Sequence, residues 1–148
     1  MKITAILLAA GQGTRMKSSL PKVLHRLAGL TLLEHVIRSA EALNPGSIHV
    51  VYGHGGEQVP EQLKDLAVQW VKQEPQLGTG HAVQQAMPGI SAQTLLILYG
   101  DVPLTRIDTL HALVQAAGNG GMALLTAELA DPSGYGRIVR DAAGRVTR

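Results

Sequence analysis

Two long apolar runs dominate the pattern of hydrophobic and polar positions, and each ends at a glycine. Residues 3–10 are almost entirely Ile, Leu and Ala and lead into Gly11, while Thr94–Tyr99 leads into Gly100. A strand that helices cover on both faces shows a continuous apolar run, because neither face meets water. The two runs therefore predict buried strands of a parallel sheet.

Shorter segments predict the remaining elements. Strands are expected over residues 48–52, 68–71 and 122–129, the last being a fifth strand. Helical spacing of apolar residues or a polar surface-helix composition predicts four helices. They involve Leu32, Val36, Ile37 and Ala40, then residues 57–66, 79–87 and 105–117. Residues 136–148 predict a hairpin with its turn at residues 141–144.

Strands and helices alternate along the chain, which predicts an α/β fold with a doubly wound, mainly parallel sheet. Ligands of such sheets bind beyond the carboxyl ends of the strands. The segments richest in glycine and polar residues all follow a predicted strand. They are residues 11–22, residues 73–79 and the pair Gly100-Asp101. The sequence therefore predicts that these three segments meet at one site.

Composition narrows the class of protein. The 148 residues suit one domain, and 45% of them are hydrophobic, as in a globular chain. The net charge of +2 is too small and too scattered to predict a nucleic-acid partner. The absence of cysteine excludes disulfides, thiolate zinc sites and cysteine nucleophiles, and it is compatible with a reducing cytoplasm. No apolar run approaches the ~20 residues of a membrane span, so we expect a cytoplasmic protein without a membrane partner.

The first loop carries features of a phosphate site. It reads Leu-Ala-Ala-Gly-Gln-Gly-Thr-Arg-Met over residues 8–16, and Pro21-Lys22 follows. Glycines allow backbone N–H groups to approach phosphate oxygens, and Arg15 and Lys22 add positive charge. A dinucleotide-binding fingerprint would need glycine at Met16, and a Walker loop would need Gly-Lys-Ser/Thr. Glycine at positions 11 and 13 alone is equally compatible with an ordinary turn that carries surface cations.

Four motifs together resemble those of the sugar-nucleotide pyrophosphorylases, the nucleotidyltransferases that activate sugar 1-phosphates. The first is the loop just described with its Pro-Lys-Val-Leu sequel. The others are Gln-Glu-Pro-Gln-Leu-Gly-Thr-Gly-His-Ala at residues 73–82, Tyr-Gly-Asp-Val-Pro-Leu at residues 99–104, and Gly-Tyr-Gly-Arg at residues 134–137. All four occur in the family's order. Within the family they are similar to the bacterial N-acetylglucosamine-1-phosphate uridyltransferases, which have a Rossmann-like nucleotidyltransferase fold.

The resemblance implies a reaction and a set of site residues. UTP and N-acetylglucosamine 1-phosphate would give UDP-N-acetylglucosamine and pyrophosphate, with Mg²⁺ as cofactor. Arg15 and Lys22 would be catalytic, and Arg15 would act mainly in the transition state. The implied binding residues are Leu8, Ala9, Ala10, Gly11, Gly13, Thr14, Lys22, Gln73, Gly78, Thr79, Tyr99, Gly100, Asp101 and Gly136.

Two of these residues carry the sharpest expectations. Asp101 follows a predicted strand, and one carboxylate together with substrate phosphates can hold Mg²⁺. Its alternative role is to cap the next helix, for which Thr105 is the better candidate. Gln73 would read uracil, because an amide side chain offers both a donor and an acceptor. A lone Gln before a turn would otherwise be a solvated side chain.

The resemblance also implies what lies beyond residue 148. Residues 1–148 would be the N-terminal portion of the uridyltransferase domain. Further sugar and Mg²⁺ ligands would follow, as would a left-handed β-helix that carries acetyltransferase activity and drives trimer formation. We therefore expect either an enzyme of impaired turnover or a module that binds UTP or UDP-sugar without turnover.

Overall fold

The computed structural model describes residues 2–11, 16–53, 55–91, 94–118 and 120–147. Its centre is a four-stranded, fully parallel sheet of β1 (Ile3–Leu8), β4 (Ser47–Gly53), β5 (Gln69–Gln73) and β6 (Thr94–Tyr99). The strand order in this sheet is β5-β4-β1-β6. The predicted α/β class and parallel sheet are confirmed. β6 has the bounds that its apolar run indicated.

Helices cover both faces of this sheet, as a doubly wound fold requires. They are α1 (Leu32–Glu41), α2 (Gln58–Gln62), α3 (Thr79–Ala86) and α4 (Ile107–Ala117). Alternate residues of β1 face opposite layers. Leu7 packs with Ile37 of α1 on one side, and Ile6 packs with Ala82 of α3 on the other. Because both faces of β1 are buried, all of its residues except Thr4 are apolar.

The register places the carboxyl ends of the central strands side by side. Leu8, the last residue of β1, lies opposite Val51 of β4 and Tyr99 of β6. β5 ends at Gln73, which lies opposite Gly53 at the end of β4. The loops that leave these strands therefore start from one edge of the sheet, as predicted from their positions in the sequence.

The predicted fifth strand at residues 122–129 is wrong. This segment has no regular structure, and its large apolar side chains are exposed, with Met122 at 89% and Leu124 at 63%. An apolar segment becomes a strand only when a neighbouring strand pairs with its backbone groups. Within the described part of the chain no strand pairs with residues 122–129.

Three shorter segments can also be compared with their predicted secondary structure. The helix expected over residues 57–66 is limited to α2. After α2 the chain turns, with the Leu66 N–H donating to the Leu63 carbonyl, and both leucine side chains pack on the core. A small antiparallel hairpin was missed, consisting of β2 (Arg26–Leu27) and β3 (Leu30–Thr31). The predicted C-terminal turn is confirmed by the hydrogen bond from the Gly144 N–H to the Asp141 carbonyl. Among the described residues of its two arms, one β-bridge forms, between Arg140 and Val146.

α1 begins with a capping box that its sequence encodes. Thr31 Oγ1 accepts a hydrogen bond from the Glu34 backbone N–H, and Glu34 Oε2 accepts one from the Thr31 N–H. The hydrogen bond from the Thr31 backbone is the main cause that lowers the pKa of Glu34. No helix in the described ranges is long and apolar enough to cross a membrane.

Candidate functional site

A cleft of about 840 Å³ lies at the carboxyl edge of the sheet, which is the size of a small-molecule site. Its walls come from the ends of β1, β5 and β6, from the 3₁₀ helix at Lys22–Leu24 and from the start of α3. The lining residues are Leu8, Ala9, Ala10, Gly11, Met16, Lys22, Val23, Gln73, Gln76, Gly78, Thr79, Ala82, Tyr99 and Asp101.

The end of β1 is held in place by its two neighbours. The Ala9 N–H donates to the Val51 carbonyl at 2.8 Å, and the Gly100 N–H donates to the Leu8 carbonyl at 2.9 Å. A Cβ on Gly100 would lie 3.2 Å from that same carbonyl oxygen and 3.2 Å from Leu33 Cδ1. Gly100 therefore lets β6 pass tightly beneath the start of the first loop. It supports the cleft and is not among the residues that line it.

Lys22 and Asp101 meet across the cleft. Lys22 Nζ lies 2.6 Å from Asp101 Oδ2, and the two side chains keep 39% and 30% of their surface exposed. Lys22 starts the 3₁₀ helix directly after Pro21, and Asp101 follows β6 after Gly100. The structure thus brings together a cation and a carboxylate that are 79 residues apart in the sequence.

Gln73 is buried at the back of the cleft, with 2% of its surface exposed. Its amide Nε2 donates to the Gly78 carbonyl at 2.9 Å and lies 3.1 Å from His81 Nδ1. Gly78 has a φ of 92°, a left-handed conformation that suits glycine. This conformation lets the chain turn into α3 at Thr79 while the Gly78 carbonyl still points at Gln73.

One polar residue of the cleft, Gln76, was not among the predicted site residues. Its amide Nε2 donates to the Ala10 carbonyl at the end of the β1 run. The side chain passes over Gly53, where an added Cβ would overlap Gln76 Nε2 and lie 3.0 Å from the Ala10 oxygen. Its place within the motif at residues 73–82 was the available signal, since that motif also supplies Gln73.

A second cation near the cleft, Lys72, forms ion pairs with carboxylates that do not line it. Lys72 precedes Gln73 on β5, and its Nζ lies 3.0 Å from Glu74 Oε2 and 3.3 Å from Glu57 Oε1. The hydrogen bonds that Lys72 donates to these carboxylates, first of all the one to Glu74, raise the pKa of Lys72. Lys72 is therefore balanced by two carboxylates, and it is not among the lining residues.

The predicted site residues fall into four groups. Ten of them line the same cleft: Leu8, Ala9, Ala10, Gly11, Lys22, Gln73, Gly78, Thr79, Tyr99 and Asp101. Gly100 supports it from below. Gly136 lies in the exposed C-terminal segment and does not line the cleft, so its role stays a prediction. Gly13, Thr14 and Arg15 lie outside the described residues.

Comparisons with known proteins identify the family of this chain. The family model of the MobA-like NTP transferase domain matches residues 5–143. The chain belongs to this family. The matched range includes every residue that lines the cleft and all of the four-stranded sheet except Ile3 and Thr4.

Curated relatives support a closer relationship within the NTP transferases. The chain is 59% identical over 149 aligned residues to the bifunctional protein GlmU of Nitrosococcus oceani, and 60% identical over 144 residues to that of Aromatoleum aromaticum. The resemblance seen in the four motifs is confirmed. These alignments cover 100% and 97% of this chain but 33% and 32% of the relatives. The chain therefore spans about a third of the length of the proteins it matches.

Solved structures show the same fold at lower identity. A nucleotidyl transferase from Methanothermobacter superposes with a TM-score of 0.70 at 24% identity, covering 77% of this chain and 57% of that one. The 4-diphosphocytidyl-2C-methyl-D-erythritol synthase of Anaerococcus prevotii gives 0.60 at 18% identity, covering 78% and 50%. Both likenesses support the doubly wound NTP transferase fold.

The residues that line the cleft can provide one carboxylate ligand to a divalent cation. Asp101 is the only carboxylate among its lining residues, and no cluster of three or more potential ligands occurs in the described part of the chain. Mg²⁺ commonly binds through one or two carboxylates while substrate phosphates and water complete its shell. Asp101 therefore suits Mg²⁺ that arrives with a nucleotide, rather than an ion held by protein ligands alone.

Proposed function

We propose that this nucleotidyltransferase binds UTP in the cleft and transfers its uridylyl group to N-acetylglucosamine 1-phosphate, forming UDP-N-acetylglucosamine and pyrophosphate. One observation carries the proposal. The first loop, Lys22, the Gln73–Gly78 contact and Asp101 line one cleft of a suitable size. The identity to bifunctional GlmU proteins supports the choice of nucleotide and sugar.

The reaction is an in-line substitution at phosphorus. A phosphate oxygen of the sugar phosphate forms a bond to the α-phosphorus of UTP while the bond to the bridging α–β oxygen breaks. Pyrophosphate leaves with that electron pair. Such transfers depend on positioning and on charge neutralisation rather than on a covalent enzyme intermediate. Bound Mg²⁺ would neutralise phosphate charge, with Asp101 as its protein ligand.

Each described residue has a role that its position suits. The backbone of Ala9–Gly11 approaches the phosphates, since glycine leaves the loop open there. Lys22 leaves its contact with Asp101 and neutralises phosphate oxygens. Gln73, fixed by Gly78, reads the base. The role of Arg15 remains a prediction from the motif. Loss of its side chain should lower turnover by roughly 10²–10³-fold and should weaken UTP binding far less.

A direct assay separates turnover from binding. Pyrophosphate release from UTP, Mg²⁺ and N-acetylglucosamine 1-phosphate is measured alongside UTP binding by calorimetry. Release that requires both substrates supports the transferase. Binding without release supports the second candidate, a module that holds UTP or UDP-sugar without turnover. That candidate is favoured because Asp101 is the only carboxylate among the described residues that line the cleft. Failure to bind UTP contradicts both.

A further inference from the structure

The amide of Gln73 has a defined orientation, and its neighbours determine it. The Gly78 carbonyl can only accept a hydrogen bond, so the atom 2.9 Å away must be the amide nitrogen. The same nitrogen lies 3.1 Å from His81 Nδ1. Since the amide nitrogen carries two hydrogens, one goes to Gly78 and the other to His81. His81 Nδ1 therefore acts as an acceptor and carries no hydrogen.

The tautomer of His81 determines the next hydrogen bond along α3. A neutral imidazole without hydrogen at Nδ1 carries it at Nε2. His81 Nε2 lies 3.1 Å from Gln85 Nε2, one helical turn further on. Two N–H groups cannot bond to each other, and the oxygen and nitrogen of an amide are assigned from their hydrogen bonds, so we assign the Gln85 amide the other way round, with its oxygen towards this N–H. Gln73, His81 and Gln85 thus form a chain of bonds that all run in one direction.

These hydrogen bonds leave a single function to the oxygen of the Gln73 amide. Both of its hydrogens are used inside the protein, and among the described residues no hydrogen bond reaches Oε1. Gln73 lines the cleft, so Oε1 is the atom available to a ligand. Turning the amide over would set its oxygen against the Gly78 carbonyl and the His81 lone pair. The cleft therefore offers a fixed acceptor at this point and no donor.

We propose that His81, supported by Gln85, is a positioning residue that sets base specificity through Gln73. The inference rests on the proposed function and deepens it. Uracil carries an N–H at N3, which pairs with an acceptor. Cytosine has an unprotonated N3, whose lone pair would face the Gln73 oxygen. A site built to bond one polar group rejects a base that leaves that group unpaired. The cleft thereby selects uridine or thymidine nucleotides over cytidine nucleotides.

The test compares the dissociation constants of UTP and CTP, measured by calorimetry with Mg²⁺, in variants of His81. His81→Leu removes the acceptor and leaves only the Gly78 bond to orient the amide. We expect the ratio of the CTP to the UTP dissociation constant to fall about tenfold, as the loss of one such bond implies. His81→Asn restores an acceptor oxygen near the Nδ1 position and should recover most of the ratio.

Matched controls separate specificity from stability. Gln84→Leu changes the neighbouring exposed residue of α3 and should keep the wild-type ratio. A merely structural role for His81 would weaken both nucleotides equally and leave the ratio unchanged, which would overturn the inference. Gln85→Leu, a change at a half-buried position, gives a second test with a smaller fall in the ratio if His81→Leu does not fold. A wild-type ratio in Gln85→Leu would then overturn the inference.

Failure of the proposed function gives a different result. If the wild-type protein binds neither nucleotide, or binds CTP as tightly as UTP, the uridylyltransferase proposal itself is contradicted. If the wild type prefers UTP and His81→Leu keeps that preference, only the role of His81 is contradicted.

Discussion

Lys22 Nζ lies 2.6 Å from Asp101 Oδ2, so two groups with opposite proposed roles pair with each other across the cleft. Both side chains remain partly exposed, and partly exposed ion pairs typically contribute less than about 1 kcal/mol to stability. The pair is therefore weak enough to exchange for stronger partners. Phosphate oxygens would compete for Lys22, and a divalent cation would compete for Asp101.

The first prediction concerns Lys22. Lys22→Met should change the free energy of unfolding by less than about 1 kcal/mol, because the ion pair is partly solvated. It should weaken UTP binding about tenfold, because one charge-assisted phosphate contact is lost. Calorimetry and urea unfolding measure the two effects. Lys64→Met, at an exposed position, is the control. Equal UTP affinity in both variants would remove Lys22 from the phosphate site.

The second prediction concerns Asp101. In Asp101→Asn the amide no longer attracts a cation strongly, so UTP affinity should stop depending on Mg²⁺ while the fold is retained. UTP titrations with Mg²⁺ and with a chelator measure this difference. Asp108→Asn, whose side chain is 87% exposed, is the control and should respond to Mg²⁺ like the wild type. A Mg²⁺ response that survives in Asp101→Asn would exclude Asp101 as the metal ligand.

The third prediction tests the contact between Gln76 and the first loop. Gly53→Ala places a methyl group where Gln76 Nε2 lies, so Gln76 must release the Ala10 carbonyl. The loss of this bond together with crowding should cost roughly 1–3 kcal/mol of unfolding free energy and weaken UTP binding. A double-mutant cycle with Gln76→Ala checks the cause. If Gly53→Ala costs as much without the Gln76 side chain, the contact is not responsible.

The fourth prediction concerns pH. His49 is buried on β4 at 4% exposure, with Nε2 3.3 Å from Ser47 Oγ, and burial lowers its pKa below the ordinary value of 6.5. The unfolded chain therefore takes up a proton at a higher pH than the folded protein. Stability should be full above pH 6.5 and should fall as the pH drops from there towards the folded pKa. Urea unfolding across this range measures the slope.

His49→Gln supplies the comparison for this slope. It removes the titrating ring, so its unfolding free energy should fall less steeply with acidification than that of the wild type. Identical slopes in the two proteins would show that another group causes the pH dependence.

The fifth prediction concerns the capping box of α1. Thr31→Ala removes the acceptor for the Glu34 N–H and should cost about 1 kcal/mol of unfolding free energy. The pKa of Glu34 is lowered in the folded protein, so its contribution is present above the ordinary value of 4.5 and is lost as pH falls through the folded value. Glu34→Gln should therefore flatten the acid side of the stability profile, as measured by urea unfolding. Thr31→Ser, which keeps the hydroxyl, should stay close to the wild type.

The sequence predicted β1 well because its burial on both faces leaves a direct mark: residues 3–10 are apolar except for Thr4. The apolar run at Thr94–Tyr99 also formed a strand, β6, but that strand lies at one end of the strand order, and its Ile97 and Tyr99 are 45% and 55% exposed. The segment at residues 122–129 is nearly as apolar and is not a strand. Pattern alone could not separate these cases, because strand formation depends on the hydrogen-bonding partner that a segment meets.

The amino-acid sequence by itself determined that the segments after β1, β5 and β6 meet at one cleft. The carboxyl ends of parallel strands lie on one edge of a sheet, so residues after those strands had to converge. Only the tertiary structure decided how they pair: Lys22 with Asp101, Gln76 with Ala10, and the Gln73 amide with Gly78 and His81. The physical reason is that the positions of strands along the chain follow from burial, which the pattern of apolar residues records. The direction of a hydrogen bond depends instead on atoms that come within 3 Å of each other only after folding.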